Sequence, residues 1–246
     1  MFEKPLRLRA DSLALIAAIL PFLGAWVYFV LLQGDDRARL VYLGSKVVQF
    51  ALPLVWLWVA GMRPDLPAVA AGLRKGLGSG LFWGLLSGVV MGGSILLWYR
   101  FALLGSPLEA EARTRILDTL ANFRIEGPWA YLGMSLGLSL LHSLLEECYW
   151  RAFVYNRFSA WMKPSLAIAT ASLAFASHHY LIIARYLPED SLLTLALPAS
   201  LAVAAGGAFW CWLYRRTGSI AAPWLSHLLV DAALMAAGWH LTQGGG

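Results

Sequence analysis

The stretch LLEECYWRAF, residues 144–153, sets two adjacent acids and an arginine into an apolar run. Two neighbouring carboxylates repel each other and resist losing water, so their retention in such a run needs a cause. Read as a helix, the stretch separates them. Glu147 and Arg151 lie four apart on one face and can form an ion pair. Glu146 stands about 100° around the axis and is left to face elsewhere. Upstream, Ser135, Ser139 and Ser143 continue the row of Glu147, which turns that row toward protein rather than lipid. The expectation is one structural acid beside one working acid, with His142 a turn before Glu146 in reach of it.

The rest of the chain makes that helix a membrane helix. Of 246 residues, 59% are hydrophobic and 13% charged, about half the charged fraction of soluble domains, and the mean hydropathy is +0.64. So much apolar surface does not fit in one soluble core. The fold class expected is an all-α polytopic membrane protein of about seven transmembrane helices plus one amphipathic interfacial helix. A span needs about 20 apolar residues, and candidates fall at 12–32, 40–60, 77–99, 129–157, 165–184, 191–213 and 219–241. The whole is taken as one integral membrane domain: N-terminal helices over 1–105, the interfacial helix over 106–127 and a catalytic helical core over 128–241. The basic start, MFEKPLRLRAD, precedes a span too long for a signal-peptide core, which reads as a retained anchor.

The net charge of +5 does not point to nucleic acid, because the basic residues are scattered between spans rather than gathered in a stripe. They serve topology and contact with membrane lipids. An inside N-terminus puts ten lysines and arginines inside (Lys4, Arg7, Arg9, Arg63, Arg74, Lys75, Arg157, Lys163, Arg215, Arg216) against seven outside, a modest preference. Cys148 and Cys211 lie in apolar runs and read as small packing residues.

Two further patterns concern packing. Gly72, Gly76, Gly80, Gly84, Gly88 and Gly92 repeat every four residues, a smooth face for close helix approach. In SPLEAEARTRILDTLANFRIEG, Ser106 and Glu109 have capping-box spacing and Pro107 suits the first helical position. Leu108, Ala112, Ile116, Leu120 and Phe123 fall near one face, predicting an amphipathic helix on the membrane surface. Its place directly before the acid-bearing span makes it a possible gate.

A charge at a membrane helix centre costs roughly 2.5–3.5 kcal/mol, so the polar residues of the last spans need a function. Besides Glu146, Glu147 and Arg151 there are Phe175, His178 and His179 in LAFASHHY, and His227 and Asp231 in WLSHLLVDAAL. Phe175 and His179 share a face, while His178 points elsewhere. His227 and Asp231 are four apart, so the carboxylate can orient the histidine. Lys46, early in its span, is expected to reach the interface, and His240 is expected at the other end of the last span. By helical rise His179 lies about 22 Å beyond Pro164 but His227 only about 12 Å beyond Ser219, a mismatch in depth. There is no G-x-S-x-G and no H-E-x-x-H. The set can activate water: a carboxylate paired with histidine removes a proton, and a second histidine meets the developing oxyanion.

The three motifs EExxxR (Glu146, Glu147, Arg151), FxxxH (Phe175, His179) and HxxxD (His227, Asp231), in this order, resemble the CPBP family of CAAX prenyl proteases and bacteriocin-processing or self-immunity proteins, also called Abi. The resemblance covers roughly residues 128–241. It implies an intramembrane glutamic endopeptidase, in which Glu146 and His179 activate the water, and His227 and Asp231 stabilise the oxyanion, with Glu147, Arg151 and Phe175 supporting. His142 and His178 are secondary candidates. The family accepts asparagine or aspartate at the last position. An ionised Asp231 cannot donate a hydrogen bond to an oxyanion, so the preferred role is orientation of His227. The expected partners are membrane lipids and a peptide or protein substrate cut near its C-terminus or leader, lipidated in some members. The expected location is the cell membrane of a bacterium or archaeon. No cofactor and no metal are expected. The alternatives are a zinc protease using Glu146, His179 and His227, and a non-catalytic immunity or transport protein whose buried acids and histidines relay protons.

Overall fold

A computed structural model describes residues 4–32, 35, 37–60 and 78–244. Among these the secondary structure is helical, without strands. The elements are α1 (4–31), α2 (Ala38–Val59), α3 (79–103), α4 (Leu108–Asn122), α5 (127–159), α6 (Pro164–Arg185), α7 (192–217) and α8 (Ala221–Thr242). The chain is an all-α polytopic membrane protein. Among the described residues, six helices are long and apolar enough to cross a bilayer: Leu13–Leu31, Ala38–Val59, Gly80–Leu103, Pro164–Arg185, Glu189–Thr217 and Ala221–Thr242. Only 17–33% of each apolar window is buried inside the protein, which leaves side chains such as Leu15, Val47, Val89 and Leu201 for lipid. Exposed tryptophans near helix ends, Trp58 and Trp129 among them, suit the headgroup level.

The expected span at 129–157 is the exception. Within α5, Glu146, Glu147, Arg151 and Arg157 interrupt the apolar run, and α5 is not among those six. It is also not a regular helix. Two wide, π-type stretches, Gly137–His142 and Cys148–Tyr155, flank the single α-helical turn Ser143–Glu147. Such wide turns are frequent at functional sites. α5 is enclosed rather than lipid-facing at this level: Tyr149, Trp150, Phe153, Val154, Tyr155 and Phe158 are all buried. Its neighbours hold it by polar contacts as well. Tyr149 Oη donates to the Ala17 carbonyl of α1 (2.6 Å), Trp224 Nε1 of α8 donates to the Leu140 carbonyl (3.0 Å), and Tyr131 Oη donates to the Met235 carbonyl of α8 (2.8 Å). Cys148 is exposed and Cys211 buried, so the packing role expected of both holds for Cys211 alone.

The glycine row is a packing seam. A Cβ on Gly84 would lie 2.4 Å from the Ala222 carbonyl oxygen, and one on Gly88 2.7 Å from Leu229 Cδ1. Gly80 and Gly92 face Ala222 and Leu229 in the same way. The row therefore lets α3 approach α8 backbone to backbone. Gly72 and Gly76 lie outside the described residues.

α4 differs from expectation in what it covers. Leu108 and Ile116 pack with Ala112 against Tyr99 and Leu103 of α3 and Leu241 of α8, so this apolar face is occupied by protein. Its basic residues tie it to helix ends: Arg113 Nη2 donates to the Thr242 carbonyl (3.3 Å) and Arg115 Nη1 to the Arg185 carbonyl (2.9 Å), while Arg39 Nη1 of α2 donates to the Asn122 carbonyl (3.1 Å). These are C-terminal carbonyls left without a partner inside their own helices. The capping box is shifted: Ser106 Oγ accepts from Leu108 N (3.2 Å), Glu109 accepts from Gly105 N (2.6 Å), and Pro107 stands one residue before the helix.

Candidate functional site

The two acids have separate surroundings. Glu147 Oε1 lies 2.9 Å from Arg151 Nη1 and accepts from His227 Nδ1 at 2.8 Å. All three side chains are buried. Arg151 is fixed further by the Gly207 carbonyl, to which Nη2 donates at 3.4 Å, and by the rings of Phe175 and Trp210, whose centroids lie 4.8 and 5.1 Å from its guanidinium carbon. Gly207 leaves room for this: a Cβ there would press on Phe175 at 3.1 Å. Glu147, Arg151 and Phe175 are packed into one polar knot.

Glu146 turns the other way. Its Oε1 lies 3.7 Å from His142 Nε2, 3.7 Å from His178 Nε2 and 3.9 Å from Lys46 Nζ; its Oε2 lies 3.9 Å from His227 Nε2. These are charge contacts longer than hydrogen bonds, and Oε1 is buried without a hydrogen-bond partner. Groups from α2, α5, α6 and α8 thus converge on one carboxylate 2% exposed.

His227 is the hinge between the two acids. Its ring stacks on Trp210 (4.3 Å, 19°), and Trp210 Nε1 in turn donates to Ser226 Oγ at 2.9 Å. Glu147 holds Nδ1, so Nε2 points to the space between Glu146 and Asp231. Asp231 Oδ1 stands 3.6 Å from that Nε2. The expectation that Asp231 orients His227 is therefore corrected: Glu147 orients it, since a buried 2.8 Å hydrogen bond fixes a ring and a 3.6 Å contact does not.

The histidine pair is also redistributed. His178, expected to point elsewhere, is buried, stacks on Trp150 (5.8 Å, 5°) and faces Glu146. His179 lies beside it, with ring centroids 4.2 Å apart, and its Nδ1 donates to the Phe175 carbonyl at 2.9 Å. That bond leaves Nε2 as the acceptor of the neutral ring. His178 of α6 and His227 of α8 both come within 3.9 Å of Glu146, so these two side chains meet at one level.

Lys46 was expected at the interface, but its side chain is 16% exposed and directed at Glu146. The sequence carried a hint in the spacing of Tyr42, Lys46 and Phe50, and both rings lie near Nζ, at 5.6 and 6.0 Å. His240 pairs with Tyr99 Oη across 2.6 Å, away from this site. Among the described residues, no group of three histidine, cysteine or acidic side chains is arranged to hold a metal ion.

Comparison with curated proteins and with solved structures gave no match. Comparison with protein families gave one: residues 128–233 match the model described as Rce1-like, type II CAAX prenyl endopeptidase. That segment, similar to the Rce1-like CAAX endopeptidases, holds His142, Glu146, Glu147, Arg151, Phe175, His178, His179, His227 and Asp231.

Proposed function

We propose that this protein is an intramembrane endopeptidase that hydrolyses a peptide bond with water activated by Glu146, without a covalent intermediate. The observation that supports this best is the convergence of Lys46, His142, His178 and His227 on a buried carboxylate whose Oε1 has no hydrogen-bond partner. A carboxylate so placed has a free acceptor for a water proton.

In this mechanism the substrate peptide enters the space bounded by Glu146, His179, His227 and Asp231. Glu146 takes a proton from water as the oxygen attacks the carbonyl carbon. His179, fixed by the Phe175 carbonyl, offers Nε2 as a second acceptor that aligns the water. The oxyanion is met by His227 in the form protonated at both nitrogens: Nδ1–H donates to Glu147 and Nε2–H faces the reaction space. Asp231, in its protonated form, supplies the second donor there. Collapse of the tetrahedral intermediate passes the proton from Glu146 to the leaving amine. The substrate class is a protein or peptide reaching the membrane, with a lipidated C-terminus ending in CAAX as the first substrate to test. No metal takes part.

The test is cleavage of a quenched fluorescent peptide, farnesylated on its CAAX cysteine, by the purified full chain and by Glu146→Gln. The reading expects activity in the wild type and its loss in the variant. Full cleavage by Glu146→Gln would overturn it.

A further inference from the structure

We propose that Lys46 is the counter-charge of Glu146 and a positioning residue of the hydrolytic site, supplied by a helix outside the family-matched segment. This rests on Glu146 being the working carboxylate.

An ionised carboxylate 2% exposed needs an opposite charge nearby to remain ionised. Arg151 is not available, being committed to Glu147, the Gly207 carbonyl and two aromatic faces. His142 and His178 carry charge only when protonated, and the charge of a protonated His227 is taken up by Glu147, which accepts from its Nδ1 at 2.8 Å. Asp231, protonated in the proposed mechanism, adds no charge of its own. Among the described residues the remaining ion pair of Glu146 is with Lys46, across 3.9 Å. The lysine is held in place: its ammonium lies over the Tyr42 and Phe50 rings, and Phe50 packs edge-on against His142 (5.7 Å) and Tyr149 (6.3 Å) of α5.

The geometry also divides the labour of the two carboxylate oxygens. Lys46, His142 and His178 all address Oε1, which leaves Oε2 toward His227 Nε2 and the reaction space. Lys46 therefore does two things: it keeps Glu146 in its basic form before water binds, and it turns Oε2 to the substrate side.

Two readouts on the full chain in lipid nanodiscs test this. The first is the infrared stretch of the protonated Glu146 carboxyl, assigned by its loss in Glu146→Gln and followed on acidification. The second is the pH profile of farnesylated CAAX peptide cleavage. In Lys46→Met the carboxyl band should emerge about one pH unit or more higher than in wild type, the size expected for losing an opposite charge at this range. The acid limb of activity should move with it, cleavage at neutral pH should fall about tenfold or more, and Lys46→Arg should restore both. An unmoved band and limb in Lys46→Met and Lys46→Gln would overturn the proposal. Full cleavage by Glu146→Gln would instead defeat the underlying assignment of the working acid, whatever Lys46 does. If both neutral variants fail to fold, the double variant Lys46→Met/Glu146→Gln decides. Its recovery supports the pairing, because neither charge is then left buried alone; its failure overturns the pairing in favour of a purely structural lysine.

Discussion

Glutamine at position 147 and glutamine at position 146 should have opposite consequences. Glu147→Gln leaves Arg151 buried beside a neutral amide, and it weakens the hydrogen bond that fixes His227. Arg151 is 1% exposed, so water cannot replace the lost charge. Breaking a buried pair on one side costs roughly 3–5 kcal/mol. Because the glutamine oxygen still accepts one bond, the lower end, about 3 kcal/mol, is the expected loss. For a domain of this size that lowers the melting temperature by roughly 6–12 °C. Glu146→Gln removes a charge whose four partners all stand at 3.7 Å or more and whose Oε1 accepts no hydrogen bond. It leaves Lys46 without its counter-charge but breaks no hydrogen bond of 2.8–2.9 Å, so it should cost less than half of the Glu147→Gln loss, about 1 kcal/mol, and abolish peptide cleavage. The assay is paired: thermal unfolding in detergent followed by tryptophan fluorescence, and turnover of the farnesylated CAAX peptide. Equal shifts in melting temperature for the two variants would refute the division into a structural and a working acid.

Gly84→Ala, which drives a methyl to 2.4 Å from the Ala222 carbonyl oxygen, should cost about 1–3 kcal/mol, whereas Gly93→Ala meets nothing within 4 Å and should gain up to about 1 kcal/mol; melting in detergent compares them. Asp231→Asn should keep cleavage within about tenfold of wild type, since Glu147 rather than Asp231 fixes His227 and asparagine donates where a protonated aspartate does; loss of several hundredfold would return the orienting role to Asp231. Peptide cleavage should survive exhaustive treatment with a zinc chelator, with metal analysis confirming the protein is metal-free; activity that vanishes and returns with added zinc would favour a metalloprotease.

What could be read in the chain and what could not divide along one physical line. Spacing within a helix was legible. The Glu147–Arg151 pair, the inward serine row and the glycine seam each follow from rows of residues four apart, and each is present. Contacts between helices were much less so. Position along its own span suggested an interfacial role for Lys46; only the packing of α2 on α5 turns it toward Glu146. The two histidines of α6 could not be ranked because their order depends on the roll of α6 about its axis, and that roll presents His178 to Glu146. Asp231 was favoured as the partner of His227 by nearness in sequence, while a hydrogen bond from another helix outcompeted it. The wide turns around Ser143–Glu147 were not legible either, because rows four apart assume regular α-helical turns and carry no mark of where a turn widens.

The irregular, charge-bearing helix α5 also bears on how the protein is made. Three ionisable residues in its middle, Glu146, Glu147 and Arg151, would cost roughly 8–10 kcal/mol if the segment entered the bilayer alone. Its neutralising contacts come from α2, synthesised earlier, and from α6, α7 and α8, synthesised later. The later helices contribute His178, the Gly207 carbonyl and His227, so α5 has no stable partner set at the moment it leaves the ribosome. Its integration should therefore be cooperative and late, with α5 held near the translocation machinery until the C-terminal helices arrive. Chains truncated before α8 would then be expected to leave α5 accessible to water-soluble reagents, with Ser143→Cys, buried in the full chain, as the reporter.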